Sequence, residues 1–144
     1  MTVARILRQK GSGEVASIAP SRSVADAAAL LSEKRIGALI VSADGKGVEG
    51  ILSERDVVRW LGREGADCLR RVVADVMTSK VVSCAPGDDV QAIMERMTEG
   101  RFRHMPVMED GRLTGVISIG DVVKYRMGQL EHETEALADM IKGY

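Results

Sequence analysis

Two serine–aspartate pairs are the residues best suited to chemistry in this sequence. Ser53 and Asp56 lie three residues apart, and Ser118 and Asp121 have the same spacing. This spacing is typical of a helix N-terminus, where both side chains bond backbone amides. The amides and dipole of such a terminus also favour a phosphate, and a nearby carboxylate can accept hydrogen bonds from both ribose hydroxyls. The pairs therefore indicate helix caps, nucleotide contacts or both.

Both pairs belong to an internal repeat that fills most of the chain. The segment GILSERDVV at Gly50–Val58 recurs as GVISIGDVV at Gly115–Val123, an offset of 65 residues. Upstream, GALIV at Gly37–Val41 matches RHMPV at Arg103–Val107 at an offset of 66. A unit of about 60 residues hides only about 60% of its unfolded surface. We therefore expect the two copies to pack as one module.

Each copy is predicted to have the element order β-α-β-β-α. Apolar runs and alternation indicate strands, and helical spacing after a capping residue indicates helices. The first copy gives a strand at Val15–Ile18, a helix from Ser23, strands at Ala38–Val41 and Val48–Leu52, and a helix from Ser53. The second gives a strand at Val81–Cys84, a helix at Asp89–Thr98, strands at His104–Met108 and Leu113–Ile117, and a helix from Ser118.

This order, with a GhhSxxDhh segment (h, hydrophobic) after the last strand of each copy, resembles the CBS domain, named after cystathionine β-synthase. The resemblance covers about residues 5–127. It implies an α+β fold of tandem CBS domains, two β-α-β-β-α units with pseudo-twofold symmetry, plus a C-terminal helix. The corresponding domains are CBS domain 1 at 1–70, CBS domain 2 at 71–127 and a helical tail at 128–144.

The resemblance also implies nucleotide sites in clefts between the repeats. Ser53 and Ser118 match the phosphate side of these sites, and Asp56 and Asp121 match the ribose side. The strand from Arg103 resembles the one that lines the adenine pocket. The residues expected at the nucleotide are Gly13, Val15, Gly37, Ala38, Leu39, Ser53, Arg55, Asp56, Ser79, Val81, Phe102, Arg103, His104, Met105, Pro106, Ser118 and Asp121.

Arg55 is the clearest difference between the two copies, because its counterpart is Gly120. A cation in the first turn of a helix opposes the helix dipole. Either Arg55 is an ordinary surface residue, or its guanidinium reaches a phosphate, which its planar geometry suits. In the second case the two sites differ in charge and are expected to prefer different ligands.

Composition argues against other partners. The net charge of -1 and the four aromatic residues do not suit a nucleic-acid surface. The charged N-terminus and the absence of a long apolar run predict neither a signal peptide nor a membrane anchor, so we expect a cytoplasmic protein. His104 and His132 are the only histidines, and the two cysteines lack metal-site spacing, so no metal is expected.

The predicted function is therefore regulatory binding of AMP, ADP, ATP or NAD, with no catalytic cofactor and with the change passed to a partner protein that the sequence does not identify. One alternative is a structural dimerisation module with degenerate sites. Another is a small nucleotide-using enzyme, although the sequence has no nucleophile–base pair, metal cluster or P-loop. The GxGxxG match at Gly45–Gly50 joins two predicted strands and is interpreted as a hairpin turn.

We further expect a homodimer, a disc of four CBS domains. The tail spaces its apolar positions alternately three and four residues apart, which is typical of a coiled-coil seam. A helix packed on its own domain has the same pattern and is the alternative. The positions concerned are Met127, Leu130, Thr134, Leu137 and Ile141.

Overall fold

Two small sheets, each covered by helices, form the framework of the molecule. The computed structural model describes residues 2–11 and 15–141. In chain order the elements are α1 Val3–Lys10, β1 Ser17–Ile18, α2 Val24–Lys34, β2 Ala38–Val41, β3 Gly50–Ser53, α3 Glu54–Glu64, a 3-10 helix at Gly65–Arg70, α4 Val73–Val76, α5 Val90–Gly100, β4 His104–Glu109, β5 Arg112–Ser118 and α6 Ile119–Ile141. The predicted α+β class and duplication are confirmed.

The first sheet has the order β1-β2-β3, with β1 parallel to β2 and β2 antiparallel to β3. The second sheet contains only the antiparallel pair β4-β5. The strand predicted at Val81–Cys84 was wrong, because this segment makes a single parallel bridge, from Cys84 to Val107. In the first sheet the Ile40 amide donates to the Ala16 carbonyl. Its counterpart Pro106 has no amide hydrogen, so the matching bond cannot form and the strand is lost.

Side-chain caps set the beginnings of the helices that matter most for the clefts. Ser53 and Asp56 form a complete capping box at the start of α3, as the spacing predicted. The same exchange between Ser118 and Asp121 opens α6. From there α6 runs unbroken for 23 residues, so the predicted tail is a continuation of this helix. Among the described helices, α6 included, none is long and apolar enough to span a bilayer.

The two hydrophobic cores exchange helices. Val73 and Val76 of α4, which precede the second repeat, are buried in the core of the first. Val3 and Ile6 of α1, which precede the first repeat, are buried in the core of the second. The predicted boundary at residue 70 is a division of the sequence, whereas in space the two copies are interlocked. The interlocking fixes the position of one repeat against the other and so shapes the clefts between them.

Candidate functional site

Two clefts lie between the repeats, each built from both. The first cleft, of about 390 Å³, surrounds Asp56. The second cleft, of about 630 Å³, opens beside Ser118. Gly37 and His104 line both clefts, which places them on the boundary between the two. These volumes are within the usual range for small-molecule sites.

In the first cleft, Asp56 joins the capping box to the cleft wall. Its side chain is buried, and Oδ2 accepts hydrogen bonds from the Ser53 amide at 2.9 Å and the Ser53 hydroxyl at 3.1 Å. The other oxygen, Oδ1, lies 3.4 Å from the Thr78 hydroxyl and 3.5 Å from an Arg59 guanidinium nitrogen. Within residues 2–11 and 15–141, Oδ1 thus has two long contacts, which leaves it capacity to accept stronger bonds from a ligand.

The corresponding carboxylate, that of Asp121, lines a neighbouring pocket between α1 and α6 and not the second cleft itself, and it has a closer partner. Asp121 Oδ2 accepts from the Ser118 amide at 2.9 Å and forms an ion pair with Lys10 Nζ at 2.8 Å. The same ammonium donates to the Val116 carbonyl at 2.9 Å. Burial acts to raise the pKa of Asp121, but the bonds from Lys10 and Ser118 more than offset it, so the pKa lies below its ordinary value.

Most of the residues expected at a nucleotide line one cleft or the other. Those at the first cleft are Gly37, Ser53, Arg55, Asp56, Val81, Phe102, Arg103 and His104. Those at the second are Val15, Gly37, Ala38, His104 and Ser118. Asp121 lies beside the second cleft through its contact with Lys10. The repeat therefore brings together residues that are far apart in sequence.

Several expected residues lie elsewhere. Leu39 and Met105 are fully buried in the two cores, because alternate residues of a strand point to opposite faces of the sheet. Pro106 is buried, with its carbonyl accepting from the Cys84 amide at 2.9 Å. Ser79 is exposed and lines neither cleft. Gly13 lies outside the described residues.

The sequence interpretation missed several polar residues of the clefts. Thr78, Lys80, Arg59 and Arg101 line the first cleft, and Lys10 lines the second. A signal for the two lysines was present, since Lys10 and Lys80 each precede the predicted first strand of a copy. A signal for Arg59 was also present, because residues three apart share a helix face and Arg59 follows Asp56 at that distance.

Close packing at the boundary between the clefts explains Gly37. A Cβ atom there would lie 3.0 Å from Glu54 Oε1 and 3.3 Å from the His104 ring. Burial lowers the pKa of His104, although the negative charges of Asp121 and Glu54 act against the shift. The imidazole is therefore neutral at pH 7 and presents an uncharged wall to each cleft.

Metal-binding and thiol chemistry have little support in the part of the chain described. No group of three or more His, Cys, Asp or Glu side chains within residues 2–11 and 15–141 is placed to hold a metal ion. Burial raises the pKa of the Cys84 thiol to about 11, so this buried cysteine stays protonated at neutral pH.

Comparison with known proteins agrees with the duplicated fold. The CBS domain family model matches residues 3–63 and 73–128. The mitochondrial CBS domain-containing protein CBSX3 of Arabidopsis thaliana is 31% identical over 149 residues, 99% of this chain and 72% of that protein. A CBS-domain containing protein from Agrobacterium tumefaciens has 46% identity and a TM-score of 0.83, covering 88% of this chain and 99% of its own. A CBS domain protein from Pyrobaculum aerophilum, complexed with AMP, has 24% identity and a TM-score of 0.78. The match covers 93% of this chain and 99% of that one.

Proposed function

The chain belongs to the CBS domain family, and we propose on that premise that it binds adenine nucleotides in its two clefts and passes their presence to a partner protein. Tandem CBS domains of this kind are regulatory modules. AMP, ADP, ATP and NAD are the ligands proposed, and no catalytic cofactor is part of the proposal. Its remaining elements are the absence of catalysis, a homodimer and a cytoplasmic location.

The observation that carries the proposal is the position of Asp56 in the first cleft. Its Oδ2 accepts a hydrogen bond from the Ser53 amide at the start of α3, while Oδ1 has two long contacts among the residues described. A carboxylate so placed can accept hydrogen bonds from the two hydroxyls of a ribose. The N-terminus of α3 beside it suits a phosphate. Val81, Phe102 and the neutral His104 line the same cleft and offer apolar contact for a base.

The homodimer is supported by exposed apolar residues on α3 and α6. Val58 is 66% exposed and its repeat counterpart Val123 is 45% exposed. Leu61 and Met127 extend these two patches along their helices. A second copy that covered both patches would form a disc of four CBS domains. The pseudo-twofold symmetry favours such pairing, because both patches occupy equivalent places in the repeat.

Isothermal titration against AMP, ADP, ATP and NAD tests the proposal, with thermal denaturation as a second readout. We expect saturable binding and a rise in melting temperature with at least one of them, because a ligand that binds only the folded state stabilises it. No response to millimolar concentrations of all four ligands would reject nucleotide binding. The structural dimerisation module would then be the better interpretation.

A turnover assay on the ligand that binds tests the absence of catalysis. The assay follows loss of the nucleotide over hours at an equimolar protein concentration. We expect no change in the nucleotide, because a regulatory site releases its ligand intact. Stoichiometric conversion would instead establish the small-enzyme alternative.

A further inference from the structure

We infer that the two clefts differ in their selectivity for phosphate charge. The first cleft selects a nucleotide with at least two phosphates, whereas the second binds adenosine ligands with little dependence on the number of phosphates. This inference rests on the proposed function and adds the chemical class of ligand for each cleft. The inference is argued from the charged residues that line each cleft and from the residues that stand at the corresponding positions of the other repeat.

The first cleft has an excess of cations. Its five basic side chains face two carboxylates, Glu54 and Asp56, which leaves three net positive charges while His104 is neutral. The basic side chains are those of Arg55, Arg59, Lys80, Arg101 and Arg103. Of these five, only Arg59 forms an ion pair within residues 2–11 and 15–141, to Asp56 at 3.5 Å. Four cations are therefore available to an anionic ligand.

The second cleft lacks this excess. Among the described residues that line it, Lys10 is the single charged side chain. That ammonium is engaged by Asp121 at 2.8 Å and by the Val116 carbonyl at 2.9 Å. A phosphate entering the second cleft would have to compete with the Asp121 carboxylate for Lys10. The free energy of binding gained from each added phosphate is therefore smaller here.

The difference between the clefts can be traced to paired positions of the repeat. Arg55 corresponds to Gly120, and Arg103 corresponds to Gly37. Arg55 and Arg103 both line the first cleft, whereas Gly120 lines neither cleft and Gly37 lies on the boundary between them, so neither counterpart adds a charge to the second cleft. Guanidinium groups form bidentate, charge-assisted bonds with phosphates. The whole chain has a net charge of only -1, so this basic cluster is a local feature of one cleft.

Titration of ¹⁵N-labelled protein with adenosine, AMP, ADP and ATP, followed by amide NMR shifts, resolves the two clefts. Gly100 reports on the first cleft and Gly115 on the second. We expect ATP to bind the first cleft about tenfold or more tighter than AMP, since a hydrogen bond to a charged group is worth about that factor. At the second cleft, adenosine and ATP should bind within about threefold of each other, the size of an exposed ion pair.

Two substitutions and a matched control sharpen the test. Arg55→Gln should remove most of the preference for ATP at the first cleft, whereas Arg70→Gln, which removes the same charge away from both clefts, should keep it. Gly120 follows Ser118, which lines the second cleft, by two residues, so Gly120→Arg should bring a guanidinium within reach of that cleft and create a preference for ATP there. A Cβ at Gly120 meets nothing closer than the Ser118 hydroxyl at 3.6 Å, so a side chain can begin there without a clash.

The outcomes separate this inference from the proposed function. If neither glycine responds to any of the four ligands, nucleotide binding itself is rejected. If nucleotides bind but AMP equals or exceeds ATP at the first cleft, or if Arg55→Gln behaves like Arg70→Gln, only the charge assignment is overturned. The charge assignment would be established if Arg55→Gln lost the preference for ATP at the first cleft and Gly120→Arg gained one at the second.

Discussion

Asp56 and Asp121 each have one carboxylate oxygen bonded to a backbone amide at a helix start. Asp56 accepts from the Ser53 amide at 2.9 Å, and Asp121 accepts from the Ser118 amide at the same distance. The same side chain therefore stabilises a helix start and, in our proposal, holds the ribose. The cap and the nucleotide contact suggested by the Ser-x-x-Asp spacing are compatible roles.

Asp56→Ala and Asp121→Ala should each abolish ribose discrimination at one cleft. We compare AMP with 2′,3′-dideoxyadenosine monophosphate, which lacks both hydroxyls. The wild-type protein should prefer AMP by about 1.5–3 kcal/mol, the value of hydrogen bonds to a charged group, and each variant should lose this preference at its own cleft.

Each variant also loses a cap, which costs about 1 kcal/mol of unfolding free energy. Ser23→Ala is the control, because Ser23 caps α2 away from both clefts. It should lose similar stability and keep ribose discrimination. If both aspartate variants kept the full preference for AMP over the dideoxy analogue, the two serine–aspartate pairs would be helix caps without a role in binding the ribose.

The Lys10–Asp121 ion pair should make stability depend on pH. The folded pKa of Asp121 lies below its ordinary value, which is about 3.9 in an unfolded chain. A lowered folded pKa gives stability that is present above pH 4 and lost as pH falls through the folded pKa. Lys10→Met removes the ammonium that lowers the pKa of Asp121 but leaves Asp121 as buried as before. The contribution of Asp121 to the free energy of unfolding should therefore shrink.

Urea unfolding between pH 2.5 and 7 measures the effect. The difference in unfolding free energy between wild type and Lys10→Met should be greatest at neutral pH, and it should decline at the acid end. The pair is partly exposed, which favours a modest difference of about 1 kcal/mol or less. A difference that did not change with pH would show that Lys10 acts through packing alone.

The elements that sequence predicted well are those determined locally. The helices α3 and α6 follow from capping pairs within three residues, and the hairpin strands β4 and β5 follow from alternation around a Gly-containing turn. The absence of the strand at Val81–Cys84 depends on Pro106 in a distant strand. The residues of the segment itself therefore do not indicate that the strand is missing. The cleft lysines Lys10 and Lys80 did leave a signal, their shared place before the first strand of each copy, but the Asp121 carboxylate that pairs with Lys10 lies 111 residues further along the chain.

The exchanged helices were also beyond the sequence interpretation. Val3, Ile6 and Leu7 of α1 stand at the i, i+3 and i+4 positions of a helical period, but this spacing does not say which of the two cores the helix joins. Their importance comes from the second core, which lies more than 80 residues away in the chain. This arrangement makes α1 part of the second repeat in energetic terms, although it precedes the first.

Ile6→Ala should therefore destabilise the second repeat. Ile6 is 2% exposed, and truncating a buried isoleucine costs about 2–5 kcal/mol. Leu137→Ala is the matched control, since Leu137 is exposed on α6 and should lose less than about 0.5 kcal/mol. Chemical denaturation at one protein concentration measures the free energy of unfolding of both variants and of the wild-type protein. Equal free energies of unfolding for Ile6→Ala and Leu137→Ala would mean that α1 contributes little to the stability of the second core.

At the scale of the whole molecule, each cleft joins the two repeats. The first cleft combines Asp56 of one repeat with Arg103 of the other, and the second combines Ala38 with Ser118. A nucleotide in either cleft therefore contacts both halves and is sensitive to their relative position. A ligand shifts a conformational equilibrium only by its differential affinity for the two states. Clefts that differ in their selectivity for phosphate charge would let the module respond to the ratio of two nucleotides.

Val58→Asp together with Val123→Asp should convert the proposed dimer into a monomer. Both valines are exposed at equivalent positions of the repeat, so a symmetric partner would bury them and a carboxylate there would be desolvated without a counter-charge. Deletion of residues 130–144 should leave the dimer intact, because about two heptads form only a marginal seam in isolation. Light scattering at micromolar concentration measures the mass of both variants, and circular dichroism checks that each is folded. A dimeric double variant would exclude the α3–α6 surface, and a monomeric deletion would assign the interface to the exposed stretch of α6 instead.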